Sequence, residues 1–172
     1  MIDHKNLINL RTIQDQDAEV LMELNNNKEI AAYIVGTPKT VTLEEQKKWM
    51  ENLQYEKKTK RWMIEYCEKI VGTVILSNID QSNGVGNMNI KLLPEFQGKG
   101  IANAALKKAC NFAFDELGMY CLTAHILPFN IKSQRLFKSA GFREEGVLRS
   151  RIVKNQTRHD LLSLSLIKPE RT

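Results

Sequence analysis

The sequence predicts an α/β fold built on a mixed sheet, and three stretches carry that prediction. Two β-rich runs, residues 61–66 and 70–77, meet at a short charged turn and lead through polar residues 80–86 to a third run, residues 87–93. These make three consecutive antiparallel strands. The third passes through Gln97-Gly98-Lys99-Gly100-Ile101-Ala102 into a long amphipathic helix and then into another apolar strand, residues 120–127. Strand, helix and strand in that order imply a right-handed crossover, so the two strands lie parallel within an otherwise antiparallel sheet.

Each element has a local reason. Residues 7–13 alternate as a half-buried strand does, with Ile8 and Leu10 on one face and Asn9 and Arg11 on the other. Asp15 can cap a helix running to Asn25, whose buried stripe is Val20, Leu21 and Leu24. Asn25-Asn26-Asn27 breaks it, and residues 30–40 mix apolar side chains with Gly36 and Pro38, which reads as an irregular connection. Thr42 with Glu45 forms a capping box that opens a helix carrying Trp49, Met50 and Leu53. Trp49 reads as core packing or as a substrate contact. In the long helix Ile101, Ala105, Ala109, Phe112, Ala113 and Leu117 form the apolar stripe, with Asn103, Lys107, Asn111 and Asp115 outside it and Gly118 ending it. Residues 130–140 form a short helix closed by Gly141, and residues 142–153 and 157–167 form a hairpin around Asn155-Gln156.

A chain of 172 residues with 42% hydrophobic content buries one sizeable core and is short for two ordinary domains, so residues 1–172 are expected to form a single domain. The formal charge of +5 favours anionic ligands, but no long basic tract concentrates it, and nucleic acid is not an expected partner. No run of about 18 apolar residues is present. Asp3, His4 and Lys5 fall where a signal peptide would turn apolar, so neither membrane insertion nor secretion is expected. Cys67, Cys110 and Cys121 are widely spaced without a CxxC pair, which argues for reduced thiols in the cytoplasm and against a disulfide frame or a metal site.

The glycine turn carries the functional expectation. The first turn of a helix leaves backbone N–H groups without partners and carries partial positive charge, so a phosphate can dock there. Gly98 and Gly100 remove the side chains that would block its approach, and Lys99 adds a charge suited to a diphosphate. On pattern alone the same turn could merely join strand to helix. Residues 97–102, however, fit the pattern Q/R-x-x-G-x-G/A, with Leu93-Pro94-Glu95-Phe96 leading in. Downstream, Asn130-Ile131-Lys132-Ser133 followed by Lys138-Ser139-Ala140-Gly141-Phe142 fits N-x-x-S/A…K-x-G-F with one extra residue before the glycine. Two ordered motifs about thirty residues apart are much more specific than one. On these residues the chain resembles the GNAT acyltransferases over most of its length, above all their ribosomal-protein and polyamine N-acetyltransferase branch.

The resemblance implies a GNAT-like, mostly antiparallel sheet of six to seven strands with a splayed central parallel pair and helices on both faces. It implies direct transfer of an acetyl group from acetyl-CoA to a primary amine, without a metal. The pantetheine arm would contact the backbone of Ile90, Lys91 and Leu92, where Pro94, lacking an N–H, suits the end of a ladder. The diphosphate would lie on the amides of Gln97, Gly98, Lys99, Gly100, Ile101, Ala102 and Asn103. Asn130 would contact the cofactor arm, or serve only as an N-cap.

Many relatives carry a tyrosine as general acid where this chain has Phe137, and a phenyl ring has no proton to give. Ser133, matching a serine of the ribosomal-protein branch, becomes the candidate acid for the leaving thiolate, although a thiol of pKa about 8.5 needs little help. Relatives often place a glutamate where Asn87 stands. His125 is the best remaining base, because an unperturbed imidazole pKa of about 6.5 suits proton abstraction near neutrality, yet a lone strand histidine is often structural. Glu65 and an ordered water compete with it. His4 and His159 have no motif around them.

Loss of acid and base would leave a different protein, a non-catalytic acyl-CoA-binding or sensing module that keeps the phosphate cradle. A nucleotide-binding P-loop fails, because Gly98-Lys99-Gly100 lacks the longer glycine loop and the Lys-Ser/Thr that follows it. The acceptor could be a protein N-terminus, a polyamine or an amino-sugar nucleotide, the last suggested by the likeness of residues 42–49 to sugar-modifying relatives. Arg149 and Arg151, if near the acceptor end, favour an anionic acceptor over a polyamine. A homodimer is compatible with this reading.

Overall fold

The computed structural model describes residues 7–36 and 39–169. Strands β1 (Ile8–Arg11), β2 (Lys60–Tyr66), β3 (Lys69–Asp80), β4 (Val85–Leu92), β5 (Cys121–Ile126), β6 (Arg143–Lys154) and β7 (Thr157–Ile167) form one sheet in the order β1-β2-β3-β4-β5-β7-β6. Every neighbouring pair is antiparallel except β4 and β5, which are parallel over Val85–Asn87 and Cys121–Thr123 and then diverge. The fold is thus the mixed, splayed α/β sheet expected. Asp3, His4, Lys5 and Pro38, named above, lie outside the described residues.

The crossover between the parallel strands is α4 (Ile101–Asp115). Its alanines let it lie close to the sheet: Ile101, Ala105, Ala109 and Ala113 are all 0% exposed in one core with Val74, Leu76, Met88, Leu92 and Leu122. The buried stripe also takes in Leu106, Cys110 and Phe114, which leaves Phe112 at its margin, 38% exposed with its ring edge-on to Trp62 at 5.5 Å. The expected stripe was centred too far towards Phe112. α5 (Ile131–Ser139) lies on the same side, with Phe137 in that core and the Asn103 amide donating to the Ser139 hydroxyl at 2.5 Å.

The opposite face is covered by α1 (Ala18–Asn26), α2 (Lys28–Tyr33) and α3 (Leu43–Glu51). Leu93, one residue out of phase with Leu92, packs there against Leu24 and Ile30. Two sequence expectations change. Asp15 does not cap α1; it opens a short 3₁₀ turn, Asp15–Asp17, whose buried Asp17 accepts from Gln14 N–H and from both terminal nitrogens of Arg11 at 2.7 Å. The Asp17 carboxylate raises the Arg11 pKa against the opposing effect of burial. Residues 30–33, the start of the stretch expected to be irregular, are helical within α2 because the Asn27 side chain accepts from Glu29 N–H at 3.0 Å and Ile30 N–H at 3.1 Å. The Thr42–Glu45 box is present, with reciprocal bonds of 2.7 and 3.2 Å.

Among the described residues no helix is long and apolar enough to cross a membrane, and no group of His, Cys, Asp or Glu could hold a metal ion. The three cysteines are unpaired, and burial pushes the Cys110 thiol up to about 12.

Candidate active site

β4 and β5 separate because each continues along a different neighbour. Beyond the Asn87–Thr123 rung, β4 runs along β3 to Leu92 and β5 runs along β7 to Ile126. The Leu93 N–H donates to the Val71 carbonyl at 2.9 Å, so strand alternation directs the backbone of Asn89 and Lys91 towards β3 and that of Ile90 and Leu92 into the gap. Gly86 agrees with this phase, its carbonyl accepting from the Thr123 hydroxyl at 3.3 Å on the β5 side. The expected edge set is therefore corrected: Ile90 and Leu92 present backbone to the gap, and Lys91 does not. The Leu92 carbonyl already accepts from the Gln97 side chain at 3.0 Å.

Just beyond β4, Gly98 and Gly100 have φ of 74° and 81°, a left-handed backbone that side chains disfavour. A Cβ built on Gly98 meets nothing within 4 Å, so the turn is open to approach. The side chains of Asn27, Thr42 and Asn130 close the N-termini of α2, α3 and α5, but α4 starts at Gly100 without a side-chain cap. Its first helical bond is from Ala104 N–H to the Gly100 carbonyl at 3.2 Å, so the amides of Ile101, Ala102 and Asn103 have no acceptor inside the helix. An uncapped N-terminus preceded by two glycines is a cradle for an anion. Lys99 stands beside it with its ammonium 5.7 Å from the Phe96 ring centre.

α5 follows β5 closely and so flanks the wide end of the gap. Asn130 is 9% exposed; its Oδ1 accepts from Ser133 N–H at 3.1 Å and its Nδ2 donates to the Tyr33 carbonyl at 3.1 Å. The side chain thus caps α5 and ties it to the end of α2. Ser133 is half-buried in the first turn of α5. Phe137 points into the core, edge-on to Phe142 at 4.9 Å.

The two faces of the gap differ. On the α4 side Met88, Leu92, Leu122, Ala124 and Ile126 are buried and close it. On the other side Asn87, Asn89, Thr123 and His125 are half-buried, and the polar groups are linked: Thr123 Oγ1 donates to Asn87 Oδ1 at 3.2 Å, and Asn89 Nδ2 donates to Ser77 Oγ at 3.3 Å. His125 pairs across to Ser163; burial and then the charge of Arg151 hold its pKa below the ordinary value, which favours the neutral imidazole. Glu65 does not join this group. It sits on β2, two strands from β4, accepting from Asn9 at 3.2 Å. His159 stacks edge-on with Phe129 at 5.6 Å.

Sequence reasoning missed the side-chain tethers around the site. Lys154 is 7% exposed, and its ammonium donates to the Ala31 and Ile34 carbonyls at 2.7 and 3.3 Å at the end of α2. A lysine at a hairpin end carries no local signature of such a role. The Lys91 side chain donates to Asn25 at 3.1 Å, and Asn25 donates to the buried Gln46 at 2.9 Å, tying β4 to α1 and α3. Burial and then repulsion from Arg61 lower the Lys91 pKa.

The geometry agrees with comparisons to known proteins. The acetyltransferase (GNAT) domain model matches residues 8–143, and the chain belongs to that family of N-acetyltransferases. It is 30% identical to the uncharacterized N-acetyltransferase YoaA of Bacillus subtilis (strain 168), over 93% of each chain. It is 28% identical to a spermidine N(1)-acetyltransferase of Vibrio cholerae, over 82% of each. A crystal structure of spermidine N-acetyltransferase from Vibrio cholerae in complex with CoA and spermine superposes with a TM-score of 0.87 at 24% identity, covering 94% of this chain and 96% of that one. At that identity the likeness speaks for the fold.

The two hydrogen bonds of Asn130, one a cap and the other a tether, can be removed separately. Asn130→Ala should lower the unfolding free energy by about 1–3 kcal/mol in urea titration. Asn130→Asp keeps the capping oxygen but faces Tyr33 with an acceptor, and should recover only part of that loss.

Proposed function

We propose that this chain transfers the acetyl group of acetyl-CoA to a primary amine, and that residues 1–172 act as one acetyltransferase domain in the cytoplasm. The observation that carries the reading is the early end of the β4–β5 ladder beside the uncapped glycine N-terminus of α4. The residues present fit the donor. The Gln97 N–H is already donated to the Pro94 carbonyl at 3.1 Å, so the amides of residues 98–103 would take the diphosphate, and the gap-facing backbone of Ile90 and Leu92 would take the amide-bearing arm. When bound, the donor supplies a thioester carbonyl to the gap.

The amine enters from the half-exposed polar face, because the other face is filled by the core. His125, neutral at pH 7, takes the ammonium proton directly or through water. With the donor bound, the amine lone pair would attack the thioester carbonyl and the C–S bond would break; Ser133 would give a proton or hydrogen bond to the departing sulfur and regain its proton from the nitrogen as the amide forms, directly or through water. A specific observation favours a second reading, a binding module without turnover: Phe137 is locked in the core and Asn87 lies in an uncharged network. Thiol release from acetyl-CoA across an amine panel separates the two.

Gly100→Val places a branched side chain on a left-handed residue in the cradle, and should abolish acetyl-CoA binding in calorimetry while the circular dichroism spectrum stays native. Unchanged affinity would put the diphosphate elsewhere. Ser133→Ala should lower turnover roughly ten- to a thousandfold with acetyl-CoA affinity retained. The rate should rise with pH through an apparent pKa below the ordinary imidazole value of about 6.5, since burial and Arg151 disfavour the charged ring. In His125→Ala that limb should shift or vanish; superimposable pH profiles would make His125 structural.

A further inference from the structure

Cations gather on the open face of the gap. Lys91 reaches under α1, with Arg61 close enough to repel its ammonium. Arg61 itself lies 5.1 Å over Trp49 of α3 and pairs with Glu56. Lys154 is buried at the end of α2, held by main-chain carbonyls. Arg151 is exposed on β6, in the register shift between Leu148 and Ile152, and its charge bears on His125.

Among the described residues Glu56 pairs with Arg61, but no carboxylate forms an ion pair with Lys91, Lys154 or Arg151. Glu65 on β2 accepts from Asn9, and Asp160, accepting from Ser150 N–H at 2.7 Å, is a carboxylate beside the Arg151 bulge that forms no ion pair with that guanidinium. Glu145 accepts from the Ser165 hydroxyl, beside Thr123 on the last rung and towards Cys121, at the closed end. A polyamine would bring further positive charge to this face and find amides and hydroxyls there, whereas recognition of a polycation calls for carboxylates.

We propose that the acceptor is an anion, a primary amine on a molecule that also carries a carboxylate or phosphate, with Arg151 on the His125 side of the gap holding that negative group. This rests on the acetyl-transfer reading above and names its substrate class. A guanidinium offers paired N–H donors matched to either anion. The same cations favour the neutral form of an amine placed among them, because they disfavour its ammonium. That suits a site in which Asn87 supplies no base and His125 is a weak one.

The test uses matched amines: glucosamine 6-phosphate against glucosamine, glycylglycine against its C-terminal amide, and spermidine. Each is titrated calorimetrically into the CoA-loaded protein and assayed for thiol release with acetyl-CoA. At least one member bearing the carboxylate or phosphate should exceed its partner without that group tenfold or more in affinity or in kcat/KM. Arg151→Gln should bring that ratio close to one, Arg151→Lys should restore part of it, and acetyl-CoA affinity and thermal unfolding should not change. Preference for spermidine, equal or undetectable binding of all five amines, or a uniform loss in Arg151→Gln would overturn the proposal. Anion-selective binding without thiol release would instead sink the transfer reading and leave the acceptor's charge standing. Turnover without charge selectivity would do the reverse.

Discussion

Everything at the site depends on a ladder that stops early. β4 and β5 share three rungs and then part, because β3 holds one and β7 holds the other. Backbone groups left at a strand edge are strong donors and acceptors, and each must find a partner in solvent, in a side chain or in a ligand. The Gln97 side chain takes one of them, the Leu92 carbonyl. Gly72 shows how closely β3 braces β4 from behind: a Cβ there would come within 2.2 Å of the Lys91 carbonyl oxygen. β4 is thus pressed against β3 at the level where it has lost β5.

The helices that follow the two diverging strands inherit that opening. α4 leaves β4 through left-handed glycines and begins uncapped, whereas α5 leaves β5 and begins with its cap in place. Asn130 makes the difference consequential. One side chain fixes the start of α5 and, through the Tyr33 carbonyl, the end of α2. Lys154 holds the same end of α2 from the β6–β7 hairpin. Segments far apart in the chain therefore meet at the mouth of the gap through side-chain bonds to main-chain carbonyls, and burial of a lysine ammonium is tolerated because those carbonyls receive it.

Several features were legible in the residues. The glycine turn, the Thr42–Glu45 box, the Asn155-Gln156 turn and the strand-helix-strand unit all rest on interactions within a few residues, and the structure has them. The misreadings have physical causes. The asparagine run does break α1, at the extended Asn27, but the same side chain caps a new helix, so residues 30–33 are helical instead of irregular. The resemblance carried the edge contacts onto Ile90, Lys91 and Leu92 together, although backbone direction alternates along a strand and the Leu93–Val71 bond sets its phase.

What the sequence determined by itself was local: which stretches are strands or helices, where glycine permits a left-handed turn, and which candidate positions lack a hydroxyl or carboxylate, as Phe137 and Asn87 do. Tertiary structure alone decided which groups share a site. It set Arg151 to act on His125 from another strand, removed Glu65 to β2, and buried Lys154 against α2. Side-chain identity and short-range spacing are written along the chain, whereas sheet order and register, which bring distant residues together, come from packing the whole chain at once.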